Sequence, residues 1–310
     1  MNQTRRKFLQ KTAVATAASF LTPLTSIKAS EPASIKAKAS FELLFLQTNW
    51  GFNGTRDEFC AAAKKDGYEG IEVGWPGNTE DLKNLFDAVK KHKLQVAFLC
   101  SASQSGAAEN LASLKNTINA ICSNTYQKPL YINCHSGKDY FSYDENKQFI
   151  DFTTATTKST GIKIYHETHR GRMLFAAHVT KQFAERNPDL RLTLDISHWC
   201  NVHESLLADQ KDTVDYLLQR VDNIHCRIGH AEGPQVNDPR APEWEKVVNA
   251  HLAWWDKVIA YKKERGEQIT ILTEFGPPDY MPTLPYTRQP VADQWAINVY
   301  MMNLLRKRYQ

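Results

Sequence analysis

The chain repeats an apolar segment at Ile162-Lys163-Ile164-Tyr165-His166-Glu167 and again at Leu190-Arg191-Leu192-Thr193-Leu194-Asp195-Ile196. Residues 172–186, which lie between these segments, predict a helix. Continuous apolar strands joined by a crossover helix are typical of a parallel sheet that is covered on both faces. This stretch therefore predicts an α/β fold with parallel strands.

The same alternation extends in both directions along the chain. Apolar segments that predict strands lie at 41–47, 68–74, 94–100, 130–134, 162–167, 190–196, 224–228 and 268–274. Segments that predict helices lie at 56–65, 80–93, 107–123, within 144–159, and at 172–186, 212–221, 242–265 and 291–306. Eight strand–helix units in succession are typical of a closed barrel. We therefore predict a single (β/α)8 TIM barrel over residues 41–310.

An open doubly wound sheet is the alternative to a closed barrel. Such a sheet usually has a glycine-rich phosphate turn after its first strand. The segment that follows the first predicted strand, Trp50-Gly51-Phe52-Asn53-Gly54, does not match that fingerprint. No linker rich in Pro, Gly or Ser follows residue 41, which favours one domain.

The first 29 residues have the organisation of an export signal. Thr4-Arg5-Arg6-Lys7-Phe8-Leu9-Gln10-Lys11 resembles the twin-arginine motif, an apolar run follows at 12–24, and Ile27-Lys28-Ala29 is a loose small-residue cleavage site. A basic head, a short apolar middle and a small-residue exit are the parts of a secretory signal. We predict a twin-arginine signal peptide at 1–29 and a short linker at 30–40. The expected location is the periplasm, reached through the twin-arginine translocation machinery.

The net charge argues against nucleic-acid and membrane partners. The formal charge is +4, but residues 1–29 contain five basic and no acidic residues, which leaves −1 for the remainder. A nearly neutral body offers no broad basic field for nucleic acid or anionic lipid. The run at 12–24 is also too short for a stable transmembrane helix. We expect no nucleic acid and no stable membrane insertion, while a homo-oligomer is compatible with the sequence.

Metal-binding residue types follow four consecutive predicted strands: Glu167, Asp195, His225 and Glu274. In a (β/α)8 barrel the carboxyl ends of the strands meet at one rim. One such residue alone could serve as a salt-bridge partner or a helix cap, but four on adjacent strands indicate a shared metal site. Three carboxylates and one imidazole suit Mn²⁺, Mg²⁺ or Co²⁺, and Zn²⁺ is compatible with them.

The body of the chain resembles the xylose isomerase-like superfamily of TIM barrels. It is most similar to the sugar isomerase and epimerase branch, which includes D-tagatose 3-epimerase. The resemblance rests on Tyr165-His166-Glu167, on Leu194-Asp195 followed by His198, on Ile224-His225 and on Thr273-Glu274-Phe275. It implies that Glu167, Asp195, His225 and Glu274 bind one divalent ion. It also implies that Glu167 and Glu274 form the catalytic acid–base pair.

These residues predict an enzyme that acts on a small-molecule carbohydrate. The ion would polarise the carbonyl of a hydroxyketone, one glutamate would remove a proton to give an enediolate, and the other would return a proton. Return to the same carbon is epimerisation, and return to the adjacent carbon is isomerisation. No glycine-rich phosphate cradle is visible, and predicted export points away from sugar phosphates. The expected substrate is therefore a non-phosphorylated sugar or sugar derivative.

Further side chains near the same rim are candidates for substrate binding. They are His135, His169, His198, Arg227, Trp50 and His230, with Asn133 a further candidate for a sugar hydroxyl. Arginine favours a carboxylate or a polarised oxygen, and an aromatic face can stack on a sugar ring. Other interpretations stay open, because His198 could bond to the loop after the sixth strand and Trp50 could pack under loops.

The sequence departs from the epimerase pattern at two places. Met173 stands where relatives usually have a substrate-binding glutamate, and Cys226 and Arg227 stand where they often have an acidic residue. These departures leave a 3-keto-glycoside lyase, which would eliminate the aglycone with the same base, as the main alternative. An endonuclease IV-like phosphodiesterase usually needs more histidines and a basic face. A periplasmic sugar-binding protein would have no reason to place two glutamates on a metal.

Overall fold

The computed structural model describes residues 40–310 of the chain. The predicted signal peptide at 1–29, and all but the last residue of the predicted linker, lie outside the described residues. The export signal therefore stays a prediction. Within the part that the structure describes, no helix is both long and apolar enough to cross a membrane.

Eight parallel strands close into a barrel in chain order. The strands are β1 (Glu42–Thr48), β2 (Gly70–Gly74), β3 (Gln95–Ser101), β4 (Ile132–His135), β5 (Ile164–Glu167), β6 (Leu192–Leu194), β7 (Val221–His225) and β8 (Gln268–Thr273). The barrel closes where β1 pairs with β8, with Leu43 opposite Ile269 and Leu46 opposite Leu272. The predicted (β/α)8 barrel is confirmed.

The helices of the described residues connect successive strands. They are α1 (Arg56–Lys65), α2 (Thr79–His92), α3 (Ala107–Ser123), α4 (Tyr143–Thr160), α5 (Ala177–Arg186), α6 (Ile196–Val202), α7 (Lys211–Leu218), α8 (Glu245–Arg265) and α9 (Gln294–Tyr309). Reciprocal side-chain and backbone bonds start two of them, through Thr55 with Glu58 at α1 and Ser142 with Glu145 at α4. Such capping boxes satisfy backbone N–H groups that a helix start leaves free, so these starts are encoded locally.

The bounds of β6 and β7 differ from the sequence prediction. The segment expected as a strand to residue 196 ends at Leu194, and Ile196 begins the unpredicted helix α6. Asp195 causes the change, because its carboxylate accepts a hydrogen bond from Ser197 N at 3.1 Å and caps the helix. The expected strand at 224–228 instead begins at Val221, which pairs with Leu192 of β6.

Two layers of buried apolar side chains stabilise the barrel. The large layer lies between strands and helices and includes Phe98 and Phe149, neither of which has exposed surface. The small layer fills the barrel interior as an apolar plug: Leu46, Ala97, Tyr131, Tyr165 and Leu272. Because side chains alternate along a strand, residues two positions beyond the plug face the interior nearer the carboxyl ends of the strands.

All six cysteines are free thiols. Burial raises the pKa of Cys60 and of Cys200 to about 12. A protonated, buried thiol is a poor nucleophile and a poor metal ligand, so these two side chains contribute packing rather than chemistry.

Candidate active site

Polar side chains line the barrel interior next to the apolar plug, on the side of the carboxyl ends of the strands. We call this surface the polar floor. Inward residues change from apolar to polar two positions further along each strand: Tyr131 to Asn133, Tyr165 to Glu167 and Leu272 to Glu274. The period of two in a strand thus places these polar side chains on one interior surface. The polar floor lies at the carboxyl ends of the strands, where barrel enzymes have their active sites.

Four of the predicted residues converge on this floor. One ligand atom from each of Glu167, Asp195, His225 and Glu274 lies within 4.8 Å of the others, and all four residues are buried. His225 Nδ1 lies 2.8 Å from Glu274 Oε2 and 3.7 Å from Glu167 Oε2. We call these residues the four-residue cluster. It could hold a metal ion.

The donor set of the four-residue cluster fits a divalent cation. Glu167 Oε1 is buried and has no hydrogen-bond partner among the described residues. A buried carboxylate oxygen without a partner is costly, and a bound cation would satisfy it. Three carboxylates and one imidazole form a hard to borderline donor set, which suits Mn²⁺, Mg²⁺ or Co²⁺ and also Zn²⁺.

Electrostatics inside the cluster distinguish its members. Burial opposes ionisation of Glu167, but nearby imidazoles outweigh it and hold its pKa well below the ordinary value. For Glu274, burial is outweighed by His225 and Arg227, which lower its pKa. Burial raises the pKa of Asp195 to about 6, although Arg227 opposes the shift. The two glutamates are therefore ionised at neutral pH and attract a cation.

Glu167 is held by two side chains from β4. Asn133 Nδ2 donates a hydrogen bond to Glu167 Oε2 at 2.6 Å, and His135 Nε2 lies 3.0 Å from the same oxygen. Glu72 of β2 adjoins this group, because its Oε1 lies 3.5 Å from Asn133 Nδ2 and 3.7 Å from His225 Nε2. Glu72 Oε2 is buried without a partner among the described residues. A fourth carboxylate thus belongs to the floor.

Arg227 is a buried cation beside the four-residue cluster, with 1% of its surface exposed. Its Nη2 contacts Asp195 Oδ2 and lies 2.9 Å from His198 Nε2 and 3.5 Å from Glu274 Oε2. Its Nη1 donates to the main-chain oxygen of Glu274 and its Nε to Ser197 Oγ, both at 3.3 Å. Every guanidinium nitrogen therefore has a protein partner.

Three imidazoles form a row beside Glu167. Ring centroids are 4.5 Å apart for His135 and His169, and 3.9 Å apart for His169 and His198. Burial lowers the pKa of His169 to about 3 and lowers that of His198 strongly. Both rings are therefore neutral at physiological pH. His198 is fully buried and bonded to Arg227, which follows β7 rather than β6, and its Nδ1 has no partner in the described chain.

A cavity of about 510 Å³ opens over the floor. Its lining includes the polar residues Glu72, His135, His169, Arg227 and Glu274 together with Trp50 and Tyr280. The rings of Trp50 and Tyr280 meet edge to face at 4.9 Å, and the Arg227 guanidinium lies 4.8 Å from the Tyr280 ring. A polar floor beside an aromatic wall can bind both the hydroxyl groups and the apolar face of a sugar.

Two residues discussed from the sequence lie elsewhere. His230 is not in the lining of this cavity, because its ring packs on Trp244 at 4.9 Å and its backbone pairs with Gly233. Met173 is buried in the core, where its N–H donates to the main-chain oxygen of Ser136 at 3.1 Å. The position that departs from the epimerase pattern is therefore a packing position here.

Sequence reasoning missed Glu72 and Tyr280. The alternation within β2 could have identified Glu72, since it is the central residue of a five-residue strand whose other members are apolar or glycine. Tyr280 lies in the long segment between β8 and α9, where no period predicts the direction of a side chain.

Comparisons with known proteins identify the fold. No family profile matches the sequence, and no curated protein matches it. Similar solved structures include 3-keto-D-glucoside 4-epimerase from E. coli, with a TM-score of 0.58 and 14% identity over 86% of this chain and 100% of that chain. A probable 3-DHS dehydratase from Bacillus anthracis has a TM-score of 0.56 and 16% identity over 86% of this chain and 99% of that chain. A D-tagatose 3-epimerase-like protein has a TM-score of 0.57 and 12% identity over 85% of this chain and 96% of that chain. At these identities the likeness shows the fold, a (β/α)8 barrel, with a sugar epimerase, an epimerase-like protein and a probable dehydratase among the structural neighbours.

Proposed function

We propose that the chain is a divalent-metal-dependent isomerase or epimerase that acts on a non-phosphorylated sugar or sugar derivative. One observation carries the proposal: Glu167 from β5 and Glu274 from β8 both approach His225 Nδ1, at 3.7 and 2.8 Å. Two carboxylates that converge from different strands can serve one carbon as base and acid, which is what proton transfer on both sides of an enediolate requires.

Each residue of the floor has a role in this reaction. A divalent ion held by Glu167, Asp195, His225 and Glu274 would supply a Lewis acid that polarises the substrate carbonyl. One ionised glutamate would accept the proton from the carbon beside that carbonyl. The other, once it has taken up a proton from water, would deliver that proton to the enediolate. Arg227 orients Asp195 through direct contact and holds the backbone oxygen of Glu274.

The cavity lining supports substrate binding by other predicted residues. His135 and His169 face the cavity beside Glu167, where their ring nitrogens could form hydrogen bonds to hydroxyl groups. Trp50 is 37% exposed at the cavity wall, so its face is open to a sugar ring. Two structural neighbours are named as sugar epimerases, which supports this reaction class for the chain.

A 3-keto-glycoside lyase is the second candidate. The cavity of about 510 Å³ favours it, because roughly 300–1,000 Å³ is the usual range for pockets that bind drug-sized ligands. There is thus room for a sugar that carries a substituent at C1. The lyase would use the same base to remove the proton beside the 3-keto group, and the C1 substituent would leave.

We also infer that the protein acts in the periplasm after export by the twin-arginine machinery. The motif around Arg5 and Arg6 supports this inference. Export of a folded barrel would allow the ion to be inserted before translocation. Free sugars and glycosides, rather than sugar phosphates, are then the available substrates.

Proton exchange in D₂O tests the proposed function. Protein loaded with Mn²⁺ and then with Mg²⁺ is incubated with free ketoses and with 3-keto-glycosides, and the products are followed by NMR. Deuterium at the carbon beside the carbonyl, together with an epimer or aldose product, is the expected result. Release of the aglycone with a dehydrated keto-sugar would establish the lyase instead.

Matched glutamate variants separate catalysis from folding. Glu274→Gln should lower the exchange rate about a hundredfold to ten-thousandfold, because general acid–base groups contribute that much. Glu243→Gln alters an exposed glutamate and should leave the rate unchanged. Absence of exchange on every compound, with bound metal confirmed, would refute Glu167 and Glu274 as the proton-transfer pair for these substrates.

A further inference from the structure

We propose that the floor holds a second divalent cation, bound by His135, Glu167 and His169. One ligand atom from each of these residues lies within 4.8 Å of the others, and Glu167 is common to this group and to the four-residue cluster. The inference rests on the proposed function in one respect, because the first cation would share Glu167 with the second.

The position of His135 fits a shared cation. Its Nε2 lies 3.0 Å from Glu167 Oε2. Two cis ligands at roughly 2.1 Å from one ion, a usual length for nitrogen and carboxylate oxygen, lie about 3 Å apart. The unpartnered Glu167 Oε1 leaves this carboxylate a second oxygen for the neighbouring cation. A carboxylate that bridges two ions about 4 Å apart is a common arrangement in two-metal sites.

His169 is held in the tautomer that a metal ligand needs. Its Nδ1 lies 2.5 Å from the main-chain oxygen of Arg170, which accepts a hydrogen bond from it. The proton is therefore on Nδ1, and Nε2 carries a free lone pair. A backbone carbonyl that fixes the ring in this way is the usual partner of a metal-binding imidazole.

The charge of the floor leaves room for a second cation. Four buried carboxylates, on Glu72, Glu167, Asp195 and Glu274, face one guanidinium, on Arg227. A further cation beside Glu167 offsets that excess, and buried charges are tolerated only when they are paired.

The second site would face the substrate. His135 and His169 both line the cavity, and three protein ligands leave positions for water or substrate oxygens. Two imidazoles and a carboxylate suit Zn²⁺, Co²⁺ or Mn²⁺ better than Mg²⁺. The second ion should bind more weakly than the first, which has four protein ligands.

Metal stoichiometry tests the proposal without any substrate. Full-length protein is stripped with a chelator and dialysed against rising Zn²⁺, and in parallel Mn²⁺, and bound metal is measured by plasma mass spectrometry. We expect two ions per chain in two steps. His135→Ala and His169→Asn should each weaken the second step tenfold or more and leave the first. His178→Ala removes an exposed histidine and should change neither.

A spectroscopic readout identifies the shared carboxylate. Two Mn²⁺ ions bridged by Glu167 should give an exchange-coupled EPR spectrum, which His169→Asn should convert to that of a single ion. Binding of one ion by the unaltered protein at saturation would overturn the proposal, as would a second step that neither histidine variant changes. One bound ion with deuterium exchange would refute only the second site. Two bound ions without exchange would refute only the proposed function.

Discussion

Replacing Arg227 by methionine would remove a positive charge, outside the four-residue cluster, that contacts both Asp195 and Glu274. The guanidinium is 1% exposed, and methionine can fill most of its volume. The variant therefore isolates the loss of charge from the loss of packing. Two buried carboxylates would lose a partner, one that Nη2 contacts directly and one at 3.5 Å.

The expected cost follows from the burial of these groups. Removing one partner of a buried ion pair costs about 3–5 kcal/mol, because the remaining charge has neither water nor a counter-ion. At roughly 2–4 °C per kcal/mol for a domain of similar size, Tm of the metal-free protein should fall by about 10 °C. Arg308→Met breaks an exposed pair with Asp256 and should cost about 1 kcal/mol or less.

Calorimetry with and without metal is the decisive assay. At pH 8, chelated Arg227→Met protein should show the full loss, and Mn²⁺ should restore more stability to it than to the unaltered chain. The ion supplies the positive charge that the arginine supplied, so its affinity for the variant rises. A tenfold gain in affinity corresponds to about 1.4 kcal/mol at saturating metal. If the chelated variant were as stable as Arg308→Met, the reasoning that Arg227 balances two ionised carboxylates would be wrong.

Three further predictions concern stability, binding and export. Burial lowers the pKa of His251 to about 4, so below pH 6.5 the unfolded chain binds a proton that the folded ring excludes. The free energy of unfolding should therefore fall by about 3 kcal/mol between pH 6.5 and pH 4 from this group, and urea titrations of His251→Asn should show a correspondingly smaller pH slope. Trp50→Ala should raise KM about tenfold and change kcat less than threefold in steady-state kinetics, because an exposed ring at the cavity wall contributes binding rather than chemistry. Lysine at both Arg5 and Arg6 should keep the protein in the cytoplasm, as fractionation would show, whereas export of that variant would contradict a twin-arginine signal.

The barrel could be predicted because its strands are buried on both faces. The strand expected at 268–274 is observed at Gln268–Thr273, since its apolar run has no competing helical period. Val221 shows the limit of this reasoning. It continues the apolar spacing of the preceding helix in the sequence, yet it begins β7 because it pairs with Leu192. Local periodicity cannot reveal a contact with a residue almost thirty positions away.

The four-residue cluster could be predicted because each member ends a strand, and strand ends of a barrel meet. Glu72 could not be found by that rule, because it lies in the middle of β2 rather than at its end. Its depth in the barrel follows from register, since it lies opposite Ala97, a member of the apolar plug. The sequence marks Glu72 as the one charged residue of an apolar strand, but its position beside the four-residue cluster follows only from the pairing of the strands.

Arg227 changes how the departures from the epimerase pattern should be interpreted. From the sequence, Arg227 is a candidate to bind a carboxylate or a polarised oxygen of the substrate. In the structure its nitrogens are bonded to Asp195, His198, Ser197 and the backbone of Glu274. The arginine therefore compensates Asp195 and Glu274, while its side chain also lines the cavity. His135 and His169 line the same cavity, so the number of ions they hold, together with this arginine, should determine which oxygens of a sugar the site can bind.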